Sequence, residues 1–408
     1  RQAIEACNMK VALFLTFVCL AAASPQVRQV NNLDYPARIP GEFLIVLHRP
    51  TGKESNFRYA TQVSSKIAAI SSKITVLKLF TNLMAPILYV KTTDEAAMSQ
   101  LFAIDEIDSI DVNAKEKMIE QCFGQATGTN LWGLSRLSSR TPPNWSSATY
   151  NNRLDEGAGV RVYIHDTSIR TTHQDFGGRA IFGANFIGGG NGDLNGHGTH
   201  CAGTVAGTQY GVSKSATVVA VKVLGDSGAG TWDAIVAGLD WMVGDVQSRG
   251  VRGVASMSLG GGANTATDSA VNSADAANIP VITSAGNNNF DACNNSPSRA
   301  SGAITVGSTD ITDTLASSSN WGSCVNLLAP GVNILSASHT SDTGSTTLSG
   351  TSMACPHVAG LVATYLSRQP TATSSQVKIF LSSSASQNYI NLRGVSDTPN
   401  LLLYNNCA

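Results

Sequence analysis

Residues 194–203 read LNGHGTHCAG, which sets His197 and His200 three residues apart with Cys201 directly after. Two chemistries are open to such a cluster: a metal site, or a histidine that moves protons beside another that packs. The zinc helix signature H-E-x-x-H needs a glutamate and a spacing that this stretch lacks. Three other segments carry candidate groups. Asp166 ends the apolar run VRVYIHD, Asn287 sits in SAGNNN, and Ser352 sits in SGTSMACPHVAGL. Each residue alone has a plain structural reading: a turn-capping aspartate, an Asn-rich turn and a helix N-cap serine. Together they compose a reaction. A serine hydroxyl is a poor nucleophile until a histidine accepts its proton, and that histidine needs a carboxylate to fix its tautomer and stabilise the imidazolium. An amide donor at Asn287, with the Ser352 backbone N–H, suits the oxyanion of a tetrahedral intermediate.

Residues so far apart meet only if the intervening elements bring them together. After residue 132 the chain alternates continuous apolar runs (GVRVYIHDT, TVVAVKVL, GVASMSLGG, IPVITSAGN) with helical stretches near 231–250 and 267–277 and an apolar helix running to about Arg368. Continuous apolar strands separated by helices predict a doubly wound, mainly parallel α/β sheet covered on both faces. In such sheets the site forms at the carboxyl ends of the strands, where Asp166, Ser258 and Asn287 fall. Between Val27 and Met118 the order is strand, helix, strand, strand, helix, strand, which predicts a separate ferredoxin-like α+β unit.

Composition narrows the class. Of 408 residues, 13% are charged and the net charge is −1, against about 25% charged in an average soluble domain. No basic cluster exists to hold nucleic acid or an anionic membrane. From Met9 the sequence MKVALFLTFVCLAAASPQVR reads as a secretory signal peptide: one lysine, an apolar run over 11–20, and small residues at Ala21 and Ala23. That run is too short for a membrane span. The expected organisation is residues 1–8 upstream of the start, 9–24 signal peptide, 25–124 the small unit, and 125–408 the large one. Export to an oxidising compartment allows disulfides. Of eight cysteines, Cys7 and Cys19 leave with the leader and Cys122 lies near the expected junction. The remaining five, an odd number, imply at least one free thiol or an intermolecular bond, and position alone makes Cys293 and Cys324 the best candidates for a pair. Sequons stand at Asn144 and Asn294.

GHGTHCAGTV, SLGGG, SAGNNN and SGTSMACPHVAGL together resemble the subtilase family of serine peptidases, most closely its proteinase K branch. The similarity runs from about Trp132 to LLLYNN near the end. The Asp, His, Ser order is therefore matched to the family rather than discovered. The resemblance implies Asp166 as orienting acid, His197 as general base and then acid, Ser352 as nucleophile, Asn287 as oxyanion donor and His200 as a packing residue. It implies an extended substrate held between Ser258, Leu259, Gly260 and Gly261 on one side and Gly228, Ala229 and Gly230 on the other, with Trp232 over an apolar subsite. The residues around the primary pocket leave room for aromatic or aliphatic side chains. It also implies a Cys293–Cys324 disulfide and a structural calcium at Ser301, Ala303 and Asn326, weakened because an amide replaces a carboxylate; no catalytic metal is implied. The first unit resembles the family's propeptide, an intramolecular chaperone and inhibitor removed by a cut between about Glu120 and Thr129. The expected product is a secreted monomeric endopeptidase acting on proteins and peptides.

Two departures qualify this expectation. The family follows its aspartate with Thr or Ser and then Gly, whereas this chain has Thr167 and Ser168. His165 adds a second titratable group next to Asp166. These motivate a second reading, a catalytically weakened homologue that binds peptides. A serine esterase of the α/β-hydrolase type predicts G-x-S-x-G and a Ser, Asp, His order, both absent.

Overall fold

A computed structural model describes residues 38–50, 54–82, 85–114, 122–153, 156–395 and 397–407. The expected signal peptide lies outside the described residues. The chain divides into two compact units, Arg1–Ile119 and Glu120–Ala408.

In the first unit, alternation in EFLIVL buries Phe43, Ile45 and Leu47 on one face of the strand Arg38–Leu47, as the two-residue strand period dictates. The helix Asn56–Ile70 starts where the Ser55 hydroxyl accepts the Arg58 N–H, and it buries Ala60, Val63 and Ile67 at helical spacing. Strands Ile74–Phe80, Ile87–Thr92 and Ile107–Ala114 complete an antiparallel sheet. Numbered by sequence, their spatial order is 2-3-1-4, the expected ferredoxin-like arrangement. The second helical segment, Glu95–Ala103, is a 3₁₀ helix that turns Ala97, Met98 and Leu101 inward.

The second unit is built on a large sheet. Among the described residues its strands run, from one edge, Ser386–Gln387, Leu401–Leu402, Leu327–Pro330, Ala303–Thr309, Val281–Ser284, Arg252–Met257, Val160–Asp166, Thr217–Lys222 and Ala180–Asn185. All neighbours are parallel except the first pair. Alternate residues of Val160–Asp166 feed opposite cores. Val162 and Ile164 pack with the helices His197–Ala206 and Thr351–Arg368, while Tyr163 packs with Trp232–Arg249 and Thr265–Ala276. Burial on both faces is why these strands read as continuous apolar runs. The chain winds one way from Val160–Asp166 to Thr217–Lys222 and the other way from Arg252–Met257 onward. Asp166 therefore ends the strand at which the winding reverses, where the carboxyl-end crevice opens.

The cysteine count needs correction. Cys293 pairs with Cys324 as expected, but Cys122 pairs with Cys407. Cys122 opens the strand Cys122–Ala126, which pairs antiparallel with Thr149–Arg153, so it belongs to the large unit and leaves no odd thiol there. Cys201 and Cys355 are free and buried. Among the described residues no helix is long and apolar enough to cross a membrane.

Candidate active site

Asp166 is fully buried at its strand end. His197 begins the helix His197–Ala206, and its Nδ1 lies 2.8 and 2.9 Å from the two Asp166 carboxylate oxygens. That contact puts the ring proton on Nδ1 and leaves Nε2 as the free acceptor. The adjacent Asp166 carboxylate holds the His197 imidazolium well above the ordinary histidine range, against the opposing effect of burial.

Asp193, which the sequence reading did not single out, ties the two partners together. One of its oxygens accepts the Thr167 hydroxyl at 2.9 Å and the Gly196 N–H at 2.8 Å; the other accepts the Thr199 N–H at 2.9 Å and hydroxyl at 2.6 Å. A buried carboxylate at a helix N-terminus takes up orphan first-turn donors. Its position four residues before His197 was the available signal.

Ser352 is the second residue of the helix Thr351–Arg368, so its N–H is one of the first-turn donors with no intrahelical acceptor. Pro356 lies inside that helix. It has no N–H to offer the carbonyl four residues back, which is that of Ser352. That carbonyl instead accepts the Ser258 hydroxyl at 2.8 Å and the Cys201 thiol at 3.5 Å. The Ser352 backbone is thereby fastened to the SLGGG segment and to the helix that carries His197. The Ser352 hydroxyl donates to the Ser258 carbonyl at 3.3 Å, so its bond to His197 is not formed in this structure. Such bonds commonly tighten only when substrate arrives.

Asn287 is fixed by its acceptor end. Its Oδ1 receives the Thr351 N–H at 2.9 Å and the Thr351 hydroxyl at 3.1 Å, which leaves the Nδ2 protons to donate. Gly350, at φ 148°, passes so close that a Cβ there would lie 3.3 Å from the Asn287 amide.

A cavity of about 830 Å³ joins these groups. His197, Ser352 and Asn287 line it together with Gly228, Ala229, Gly230, Trp232, Ser258, Leu259, Gly260 and Gly261, while Asp166 stays buried behind His197. Trp232 is half-buried, its ring edge against Gly261, so it packs at a helix start and walls the cavity at once. Gly261–Gly262 already pairs antiparallel with Asn295–Ser296, which adds Asn295 to the wall.

The two departures are resolved by their surroundings. Ser168 does adopt φ 100°, a conformation costing a non-glycine residue about 1 kcal/mol. Its buried hydroxyl donates to the Asn191 carbonyl at 2.6 Å, and the Asp166–His197 contact keeps full geometry. His165 is fully buried, and burial pushes its pKa down to about 4, so it stays neutral near Asp166. His200 is likewise lowered to about 4 by burial, with Nε2 2.9 Å from the Ile334 carbonyl.

Among the described residues, Asp166, His197 and Cys201 form the group with metal-capable donors. The aspartate and histidine already satisfy each other, and burial pushes the Cys201 thiol up, away from the thiolate a metal needs. The calcium trio fits poorly. Asn326 spends its Oδ1 on the Thr305 N–H at 2.7 Å, and Lys378 lines the same cavity as Asn326. A neutral oxygen already spent on an N–H is a weak ligand for a hard cation. Asp310 caps the Thr312 and Thr314 N–H groups, and Asp313 forms a buried bidentate pair with Arg136.

Residues 157–399 match the Subtilase family model. An extracellular serine proteinase from Thermus sp. (strain Rt41A) is 49% identical over 67% of this chain and 65% of its own length. The chain thus spans about two thirds of that relative. A cuticle-degrading serine protease from Arthrobotrys oligospora is 37% identical over 95% of this chain and 96% of its own. Among solved structures, a cold adapted subtilisin-like serine proteinase superposes with a TM-score of 0.63 at 44% identity, over 68% of this chain and 99% of the other.

Proposed function

Because the chain belongs to the subtilase family of serine peptidases, we propose that it is a secreted endopeptidase that cleaves proteins and peptides with broad specificity, favouring aromatic or aliphatic residues. The observation that carries this is the buried Asp166 carboxylate 2.8 Å from His197 Nδ1 at a cavity shared with Ser352 and Asn287. Asp166 orients the ring. His197 Nε2 takes the Ser352 proton as the hydroxyl oxygen attacks the scissile carbonyl, then returns it to the leaving amine. The Asn287 amide and the Ser352 N–H donate to the oxyanion, each such donor lowering the barrier by roughly 3 kcal/mol. Main-chain pairing along Ser258–Gly261 accounts for tolerance of many sequences.

The reading includes self-processing. The first unit acts as chaperone and inhibitor and is removed by the chain's own site. The Cys122–Cys407 bond and the strand Cys122–Ala126 favour a cut at or before Gln121, at the near edge of the expected interval, since a later cut leaves the released segment tethered through sulfur. The mature protein acts as a monomer outside the cell, in keeping with the extracellular serine proteinase of Thermus sp. that it resembles. Calcium, a common structural ion of the family, has no role at Asn326 in this reading.

Labelling the expressed precursor with a fluorophosphonate probe, and mapping the modified peptide by mass spectrometry beside Asp166→Ala and His197→Ala variants, tests the proposal. Modification at Ser352 that needs both partners, on a chain shortened near residue 120, is the expected result. A folded, full-length, unlabelled chain overturns it in favour of the peptide-binding homologue.

A further inference from the structure

The part of the cavity nearest Ser352 is bounded by Ser258–Gly260 and by Ser284–Asn288. A substrate whose scissile carbonyl reaches Asn287 sends the adjoining side chain into this space. Two side-chain amides on this wall make no hydrogen bond among the described residues, those of exposed Asn288 and half-buried Asn295, and Asn295 is the more enclosed of the two.

The backbone of Asn295 is committed: the residue pairs with Gly262, and its carbonyl accepts the Arg299 N–H at 2.9 Å and the Ser298 hydroxyl at 3.1 Å. Among the described residues no group donates to or accepts from its side-chain amide. The buried polar groups around it are satisfied. Ser298 Oγ also donates to the Ala292 carbonyl at 3.0 Å, and Asn320 donates to the Ala285 carbonyl while accepting the Asn288 and Phe290 N–H groups. The Asn295 Nδ2 faces Gly286, the residue before the oxyanion donor. A Cβ there would lie 3.1 Å from it and 2.5 Å from the Asn320 amide, and Gly286 also takes φ 103°. Glycine is thus required at 286, and its missing side chain leaves the Asn295 amide open to the pocket.

We infer that Asn295 makes the primary pocket selective for side chains with a hydrogen-bonding tip, tyrosine above all and glutamine among the shorter ones, over hydrocarbon side chains of the same size. The inference rests on the endopeptidase reading and replaces its aliphatic preference with one for polar-tipped side chains. A phenylalanine or leucine that fills the pocket strips water from the amide and returns no hydrogen bond. A phenol or carboxamide replaces what the water supplied. The amide is half-buried, so the discrimination is on the order of tenfold rather than the far larger ratios of fully enclosed sites.

The experiment compares kcat/KM for four peptides identical except for Tyr, Phe, Gln or Leu at the residue that contributes the scissile carbonyl, using the processed enzyme, Asn295→Ala and Asn295→Leu. The expected result is Tyr above Phe, and Gln above Leu, by about tenfold in the natural protein, with both ratios falling to one or below in Asn295→Leu. Fluorophosphonate labelling of Ser352 in each variant establishes that the site is assembled. Ratios within twofold of one in the natural protein, or ratios unchanged in a labelled Asn295→Leu, overturn this inference alone and leave the endopeptidase standing. Failure of the natural protein to cleave any peptide or accept the label overturns both.

Discussion

Two turns position Asp166 and Ser352, and they reach unusual backbone angles by opposite means. Gly350, two residues before Ser352, takes φ 148° with a glycine, so the conformation costs no steric strain and the chain can close on Asn287. Ser168, two residues after the aspartate, takes φ 100° with a side chain attached. There the hydroxyl is bonded to the Asn191 carbonyl, the residue is fully buried, and Asp193 holds Thr167 alongside. The comparison teaches that a left-handed conformation can be obtained either by residue choice or by surroundings that over-determine it. The aspartate turn spends local stability to keep its geometry. The serine turn does not.

The sharpest tests of this contrast act on the reacting groups themselves. Ser352→Ala should lower kcat by on the order of 10⁶-fold, the scale for losing a triad nucleophile, with the fold intact by circular dichroism. Asp166→Asn should cost about 10⁴-fold, because the amide favours the wrong histidine tautomer. Its pH profile carries the second half of the test. With His197 raised by Asp166, the acid limb of kcat/KM in the natural protein should lie above the ordinary histidine value of about 6.5, and Asp166→Asn should move it down. The sign for stability is opposite to that for activity. The contribution of the charged pair is complete below the unfolded histidine pKa and is lost as pH rises through the elevated folded value, which unfolding midpoints across that window would reveal.

Asn287→Ala should reduce kcat by roughly 10²- to 10³-fold with little change in KM, since its amide bonds the transition state. A change confined to KM would remove it from the oxyanion site. Ser168→Gly is the mildest change and bears most directly on the comparison. Relief of about 1 kcal/mol of backbone strain is offset by loss of a hydrogen bond of about 1 kcal/mol. The expected outcome is an unfolding midpoint within a few degrees of the parent and kcat within about threefold. A large gain in activity would mean that the serine had been tilting Asp166 after all.

Much of this was legible in advance. Continuous apolar runs predicted a sheet buried on both faces, and the parallel order follows them. The alternation in EFLIVL and the helical spacing of Ala60, Val63 and Ile67 carried the small unit. Two features have no local signature of their partners. Nothing local marks those of Asp193, because Thr167 and Thr199 lie on both sides of it in sequence and converge only in the fold. Cys122 was set aside with the junction because nothing local marks its distant partner, Cys407, 285 residues away.

The sequence alone determined the inventory: which side chains are present, in what order, and the strand and helix periods that decide what faces inward, because these depend on near neighbours. Tertiary structure decided which uses those groups were free to serve. Burial kept His165 neutral, Thr351 turned Asn287 so that its amide donates, Pro356 released the Ser352 carbonyl to Ser258, and Asn295 was left with an open amide in the pocket wall. The reason is physical: desolvation and hydrogen-bond geometry depend on all the atoms that surround a group, and those atoms come from segments the chain brings together only when it folds.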